Sequence, residues 1–531
     1  MNDEKDPASA GGSGGTTKFL VVGAALLALF LGAMDALVVG AAMPTIVADL
    51  GGLPLYSWVF SSYLLARAIA LPIFGKLCDL YSSRRLYFIA ISTFVLSSLL
   101  GGAAQNMTQL IISRAIQGIG AGGTFALAYV VVADIAAPEK RAKMMGLISF
   151  VWGVASILGP ALGGFIVSTL SWRWIFYLNL PLGCAALLAI LLYLKEARVK
   201  QAHPSLDYLG ALTLSAAVLA LLTVFLLGGR TYQWWSWEIA GLAMLALGGG
   251  IGFCVAERRA KEPILALEFF RIREFSLANA SAFFGNWAIF SLSAYSPLFI
   301  QGVLARSPAE LGVAMVPLSL GWSVGALICG QTVGRGGEKP YSVYGSVLLI
   351  ITAGLAVSYS ATTPLMAFSA TLGFAGIGIG IVSVATLLIV QNSLDSAHLG
   401  VATSSQQFAR TLGGTIGIGI SGSLATASLT SGLEALATAS APSEVPSAMI
   451  EKLLSNIEGI LQPGIQAGLA PIVQKTLQEA VGKGVRMVFW SALAASFISL
   501  ACCLWIPDRR LKGGRPFSFS KARFHITGTS E

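Results

Sequence analysis

The chain has 531 residues, 55% of them hydrophobic and only 11% charged, with mean hydropathy +0.76 and a formal net charge of +9. Too few polar groups remain to coat a water-soluble globule of this size, so the solvent is lipid. The positive balance belongs to loops and a tail lying against anionic headgroups, which removes any need for a nucleic-acid partner.

Residues 1–18 are polar and contain Gly and Ser, and are expected to form a disordered N-tail. Fourteen apolar stretches follow, at 19–41, 55–77, 86–104, 108–133, 144–168, 173–194, 206–228, 237–256, 275–300, 309–333, 341–360, 364–393, 398–425 and 485–506. Each approaches the ~20 residues that ~30 Å of hydrocarbon requires. Unpaired backbone is costly in lipid and the alternation of barrel strands is missing, so the fold class is an all-α polytopic membrane protein.

The connection at 195–204 and the charged run Glu257–Glu274 bracket the seventh and eighth stretches. They divide the chain into an N-terminal six-helix bundle (19–194), two inserted helices with their linkers (195–274) and a C-terminal six-helix bundle (275–506). Within the last, a loop at 426–484 carries Met449, Leu453, Ile457 and Ile460, then Ile465, Leu469 and Ile472, at helical spacing. Two short amphipathic helices are predicted there. Residues 507–531 form a basic tail.

Basic residues mark the cytoplasmic side. With both termini inside, 24 of the 34 Lys and Arg fall on that side, 7 on the other and 3 within the membrane. The 426–484 loop is then extracytoplasmic, and the expected location is the plasma (cytoplasmic) membrane.

An ionised side chain at mid-bilayer costs roughly 2.5 to 3.5 kcal/mol even on lenient scales, so each one is a functional candidate. Asp35, Arg67, Arg114 and Arg410 are the four. Counting helical rise, Asp35 lies about 6 Å and Arg114 about 9 Å below the outer boundary, while Arg67 and Arg410 lie near the midplane. A carboxylate alone in low dielectric favours its protonated form and an adjacent guanidinium favours the ionised form. Motion of Asp35 relative to Arg114 would therefore take up or release a proton. A permanent pair that only fastens two helices is the alternative.

Three arginines against one deep carboxylate disfavour organic cations, so neutral or anionic lipophilic molecules, lipids included, are the expected cargo. With Arg67 and Arg410, the side chains Trp152, Asn279, Asn286, Trp287, Tyr295, Gln301, Gln406 and Gln407 are candidates to line a substrate cavity. The histidines, His203, His398 and His525, sit at or beyond membrane ends, so no catalytic or metal constellation is expected and the chain does not read as an enzyme. No GxxxxGK[ST] sequence occurs. The expected energy source is a proton gradient, with no cofactor, and a monomer is expected.

The strings MDALVVGAAMP (34–44), GKLCDLYSSRR (75–85), ISRAIQGIGAGG (112–123), LGPALGG (158–164), WRWIFYLNLP (172–181) and YSPLFIQGVLARSPAELGVAMVP (295–317) together resemble the motif series of the major facilitator superfamily. Their order, with two inserted helices, is similar to its fourteen-helix drug:proton antiporter branch. That resemblance implies a protonation site at Asp35 and an arginine tied to proton transfer at Arg114. It also implies conformational gating by Gly75, Asp79, Arg84 and Arg85 and by the antiporter signature Gly159, Pro160, Gly163 and Gly164. Leu80, Ser82 and Ser83 depart from the loop pattern, where Arg, Gly and Arg are usual, so the gating ion pairs are expected to be rewired. A proton-coupled importer and a non-transporting receptor of the same fold are the competing readings.

Overall fold

The computed structural model describes residues 11–51, 55–136, 138–194, 206–229, 232–439 and 471–507. The N-terminal bundle comprises α1 (Gly11–Leu50), α2 (Tyr56–Leu80), α3 (Ser83–Gly102), α4 (Met107–Ile135), α5 (Pro138–Thr169), the one-turn α6 (Trp174–Tyr177) and α7 (Asn179–Tyr193). The insert is α8 (Tyr208–Leu227) and α9 (Trp237–Arg259). The second bundle comprises α10 (Arg273–Gly302), α11 (Pro308–Gly336), α12 (Glu338–Ser358), α13 (Leu365–Ser393), α14 (Leu399–Ala439) and α15 (Pro471–Trp505).

Local sequence explains several helix starts. The side chains of Ser82, Asn106, Asp207 and Ser236 each accept a hydrogen bond from a backbone N–H three residues on. Ser307 and Glu310 form a reciprocal capping box at α11.

Among the described residues, twelve helices are long and apolar enough to cross a membrane, so the chain is a multi-pass membrane protein. α10 and α14, of 30 and 41 residues, fall outside that set because they carry the polar groups Asn279, Asn286, Gln406, Gln407 and Arg410.

Three boundaries differ from the sequence expectation. α1 begins at Gly11, so 11–18 is helical where a disordered tail is predicted. α14 continues to Ala439 and α15 starts at Pro471, which shortens the 426–484 loop from both ends. Once nucleated, a helix gains one hydrogen bond per residue ordered, and 429–439 is rich in the helix formers Ala, Leu and Glu. Most of the predicted amphipathic pair, like the 508–531 tail, lies outside the described residues; Ile472 and Val473 belong to α15.

The two bundles meet closely at one end. Around the α2–α3 turn a single apolar core runs across both, joining Ala25, Cys78 and Ala133 to Met145, Cys329 and Leu399. There α5 and α11 approach backbone to backbone: a Cβ on Gly146 would lie 2.9 Å from Ala326 O, and one on Gly330 2.6 Å from Ala142 O. Only small residues permit that spacing. At the far end each bundle keeps its own core, with Val39, Met43 and Phe176 in one and Phe299, Phe368 and Phe489 in the other.

On the first bundle's far surface, Asp49 Oδ2 accepts hydrogen bonds from Trp172 Nε1 (2.9 Å) and Arg173 Nη1 (2.8 Å), fastening the end of α1 to the turn before α6. The Trp172 hydrogen bond and then the Arg173 guanidinium hold the Asp49 carboxyl below its ordinary value of 3.8.

The insert lies along the seam between bundles. α8 packs on both α2 and α14. At its far end Trp234 Nε1 donates to Ser423 Oγ of α14 (2.9 Å), and at the other end Lys76 of α2 pairs with Glu262 beyond α9 (2.8 Å).

Candidate functional site

Asp35 and Arg114 meet, as their matching depths predict. Asp35 is 0% exposed and Arg114 1%. Arg114 Nη1 donates to Asp35 Oδ2 and to Gln117 Oε1 (2.7 Å). The other carboxylate oxygen accepts from Gln117 Nε2 (3.0 Å) and Asn179 Nδ2 (2.9 Å). Ser98 Oγ accepts from Asn179 (2.9 Å) and Gln117 (3.2 Å) and donates to Phe176 O (2.8 Å). The Arg114 guanidinium also lies 4.2 Å from the Tyr63 ring centroid, and Tyr63 Oη donates to Gly32 O (2.9 Å).

Every one of these groups belongs to the first bundle. A buried charge is tolerable only when paired and hydrogen-bonded, and here three side chains from α4 and α7 share the Asp35 charge. Asn179 Oδ1 alone is buried without a partner. The network therefore gives both Asp35 carboxylate oxygens hydrogen-bond donors from within the first bundle.

Gln117, Asn179, Ser98 and Tyr63 were not among the sequence candidates. Gln117 stands one helical turn from Arg114 on the same face, a spacing that could have pointed to it. Asn179 lies inside the string WRWIFYLNLP, noticed there only as part of a motif.

A second cluster lies nearer the midplane, between the bundles. The Arg67 guanidinium lies over the rings of Phe125 (4.4 Å) and Trp152 (5.1 Å). Across from it, Arg410 lies over Trp322 (5.5 Å), with Nε donating to Asn286 Oδ1 (3.4 Å) and Nη1 to Gln407 Oε1 (3.1 Å). Tyr129, its ring tilted 45° to Phe125 at 4.9 Å, is within electrostatic range of both arginines. Among the described residues neither arginine forms an ion pair.

Of the expected cavity residues, Arg67, Trp152, Asn286, Gln407 and Arg410 converge here. Others are used differently. Asn279 binds Phe275 O and Ser405 Oγ, Trp287 binds Ser491 Oγ, Tyr295 binds Ile418 O, and Gln406 binds Thr386 Oγ1. These are contacts within α10 or between neighbouring helices of the second bundle. Gln301 sits in the last turn of α10, 15 residues or about 22 Å of helical rise beyond Asn286. Sequence gives depth but not azimuth, and in lipid a polar side chain bonds a neighbouring helix as readily as a ligand.

The gating candidates also divide. Asp79 caps α14 of the opposite bundle: Oδ1 accepts from Gly400 N (2.8 Å) and Oδ2 from Val401 N (2.9 Å). A side chain on Gly75 would run into Ser404 and Gly400 of the same helix start. Arg84 and Arg85, by contrast, are exposed on α3 and line a groove with Leu191 and Leu194 of the same bundle.

In the antiporter signature, Gly159 packs on Leu37 of α1 and Gly163 is buried, whereas a Cβ on Gly164 would meet open space. Close packing therefore explains Gly159 but not Gly164. The Pro160 side chain lies outside the described set.

The sequence profile of the Major Facilitator Superfamily matches residues 25–418. The chain is 38% identical over 407 residues to the multidrug transporter protein MdtP of Bacillus subtilis, covering 76% of this chain and 75% of that one. It is 32% identical over 504 residues to multidrug resistance protein 3 of the same organism, covering 94% and 96%. Among solved structures, a bacterial homologue of the iron transporter ferroportin in an outward-facing state superposes with a TM-score of 0.59 at 12% identity, covering 92% of this chain and 99% of that one. A double-Trp variant of XylE gives 0.59 at 14%, covering 93% and 96%. These likenesses concern the fold, while the profile and the sequence relatives fix the class: the chain is a transporter, not an enzyme, and belongs to the Major Facilitator Superfamily.

Proposed function

We propose that the chain exports lipophilic or amphipathic molecules across the plasma membrane in exchange for protons. In this reading α10 and α14 also span, giving fourteen transmembrane passes arranged 6+2+6 with both termini in the cytoplasm. The α2–α3 turn is then cytoplasmic, and the conformer described is closed inside and faces outward. The multidrug names of the sequence relatives support export over import.

The observation that carries the reading is the sealed Asp35 network. It belongs to one bundle only and shares no side chain with the Arg67–Arg410 cluster, which it adjoins through Tyr63, so proton and cargo occupy different places and communicate through bundle motion. A proton arriving from outside neutralises Asp35 and frees Arg114. Reorganising such a buried pair costs about 3 to 5 kcal/mol, and a gradient of ~150 mV supplies roughly 3.5 kcal/mol per proton. The two are of one size, which lets the gradient bias the equilibrium without trapping either state.

Reconstitution in vesicles tests this. Under an imposed proton gradient, lipophile flux by native protein is expected to exceed gradient-free flux, and Asp35→Asn is expected to remove the difference. If Asp35→Asn retains full gradient-driven flux, the assigned coupling is wrong; flux in the direction of the proton would favour an importer.

A further inference from the structure

The midplane cluster has an unbalanced charge. Arg67 comes from α2 and Arg410 from α14, on opposite bundles, and they lie within electrostatic range of one another. Each guanidinium rests on aromatic faces, which stabilise a cation but leave its N–H edges available. Among the described residues Arg67 donates no hydrogen bond to the protein, while Arg410 donates to Asn286 and Gln407 and lies within hydrogen-bonding reach of the Tyr129 hydroxyl. Beside Arg410, Gln407 Nε2 is buried near the Tyr129 hydroxyl without a well-formed hydrogen bond.

Two like charges on opposite bundles repel, and partial burial strengthens the repulsion. Among the described residues no carboxylate pairs with either guanidinium. A half-buried, uncompensated pair of guanidinium groups selects an acceptor that carries negative charge.

We propose that this site takes the single anionic group of an amphipathic molecule, a carboxylate, sulfonate or phosphate on an apolar body, held between Arg67 and Arg410. The anion replaces repulsion between the bundles with two attractions, so the bundles close around a charged cargo more readily than around a neutral one. The apolar body lies against Phe125, Trp152 and Trp322. The physiological use of the site rests on the transporter reading above, but its ligand chemistry does not.

The test is equilibrium binding to the full chain in neutral-lipid nanodiscs at symmetric pH, using three probes with one ring system: dansyl sulfonate, dansyl amide and a dansyl trimethylammonium. The native protein is expected to bind the sulfonate at least tenfold more tightly than the other two. Arg67→Gln and Arg410→Gln should each weaken the sulfonate about tenfold and the amide less than about threefold. Arg67→Lys and Arg410→Lys, which keep the charge, should recover part of the loss, and thermal unfolding checks that each variant is folded.

Equal affinity for all three probes, or equal loss of sulfonate and amide in the Gln variants, would overturn the proposal. Adding phosphatidylglycerol to the nanodisc separates two sources of the anion. Competition with the sulfonate assigns the site to a lipid headgroup, and indifference assigns it to a free amphiphile; both uphold the anion site. Because no gradient is present, selective sulfonate binding with no vesicle flux would sink the transport reading alone, and flux with no selectivity would sink this proposal alone.

Discussion

Replacing Asp79 with Ala removes a cap that ties the two bundles together at the end where they meet. Its carboxylate accepts two hydrogen bonds, from Gly400 N at 2.8 Å and Val401 N at 2.9 Å, at the start of a helix belonging to the other bundle. Bonds to a charged group contribute ~1.5 to 3 kcal/mol each, and the positive end of the helix adds ~0.3 to 1 kcal/mol. Asp79 is half-buried and water replaces these bonds on opening, so about 2 to 3 kcal/mol of conformer preference is a fair net figure. At 1.4 kcal/mol per decade this shifts the closed-to-open ratio roughly 30- to 150-fold. Cys329 reports the shift without an introduced cysteine. Its side chain is 0% exposed, inside the core that crosses both bundles. In a variant whose other cysteines are replaced, maleimide labelling of Cys329 from the cytoplasmic side is expected to accelerate by at least an order of magnitude in Asp79→Ala. An unchanged rate, with the protein folded, would show that the cap does not hold this end shut.

Two further outcomes follow from packing and surface charge. Gly330→Ala places a methyl group 2.6 Å from the Ala142 backbone oxygen, which cannot rotate away; overpacking of this sort costs about 1 to 3 kcal/mol, and Cys329 labelling should accelerate as it does for Asp79→Ala. The Asp49 carboxyl titrates below its ordinary value because Trp172 and Arg173 favour the ionised form. A lowered folded-state value means that its stabilisation is complete above the unfolded value and fades as pH falls through the folded one. The difference in Tm between native protein and Asp49→Ala should thus stay constant from pH 8 to about pH 5 and shrink below about pH 4; a difference that grows with acid would contradict the assignment.

Depth along each helix was legible in the sequence, because rise per residue is fixed and apolar length is set by the bilayer. That arithmetic placed Asp35 level with Arg114 and put Arg67 and Arg410 in the middle. Rotation about the helix axis was not legible. Trp287, Tyr295 and Gln406 have suitable depth yet turn toward neighbouring helices, whereas Phe125, Tyr129 and Trp322, passed over as ordinary apolar positions, frame the two arginines. Long-range pairing was hidden as well. The motif resemblance points to Asp79 as a gating residue but not to its partner, the start of a helix 321 residues away. Helix ends were hardest, since neither Gly11–Lys18 nor 426–439 carries a stop signal strong enough to outweigh continued hydrogen bonding.

The inserted hairpin makes the molecule's two flanks unequal. Tethered to α14 through Trp234 and to Lys76 of α2 through Glu262 on its linker, it belongs to neither half and cannot ride with one without straining its hold on the other. On its flank α8 covers the seam between α2 and α14. On the opposite side α5 and α11 clasp at one end, while Phe165 and Val313, 62% and 73% exposed, leave the other end bare. The insert thus gives the molecule a left and a right that its paired architecture would otherwise lack.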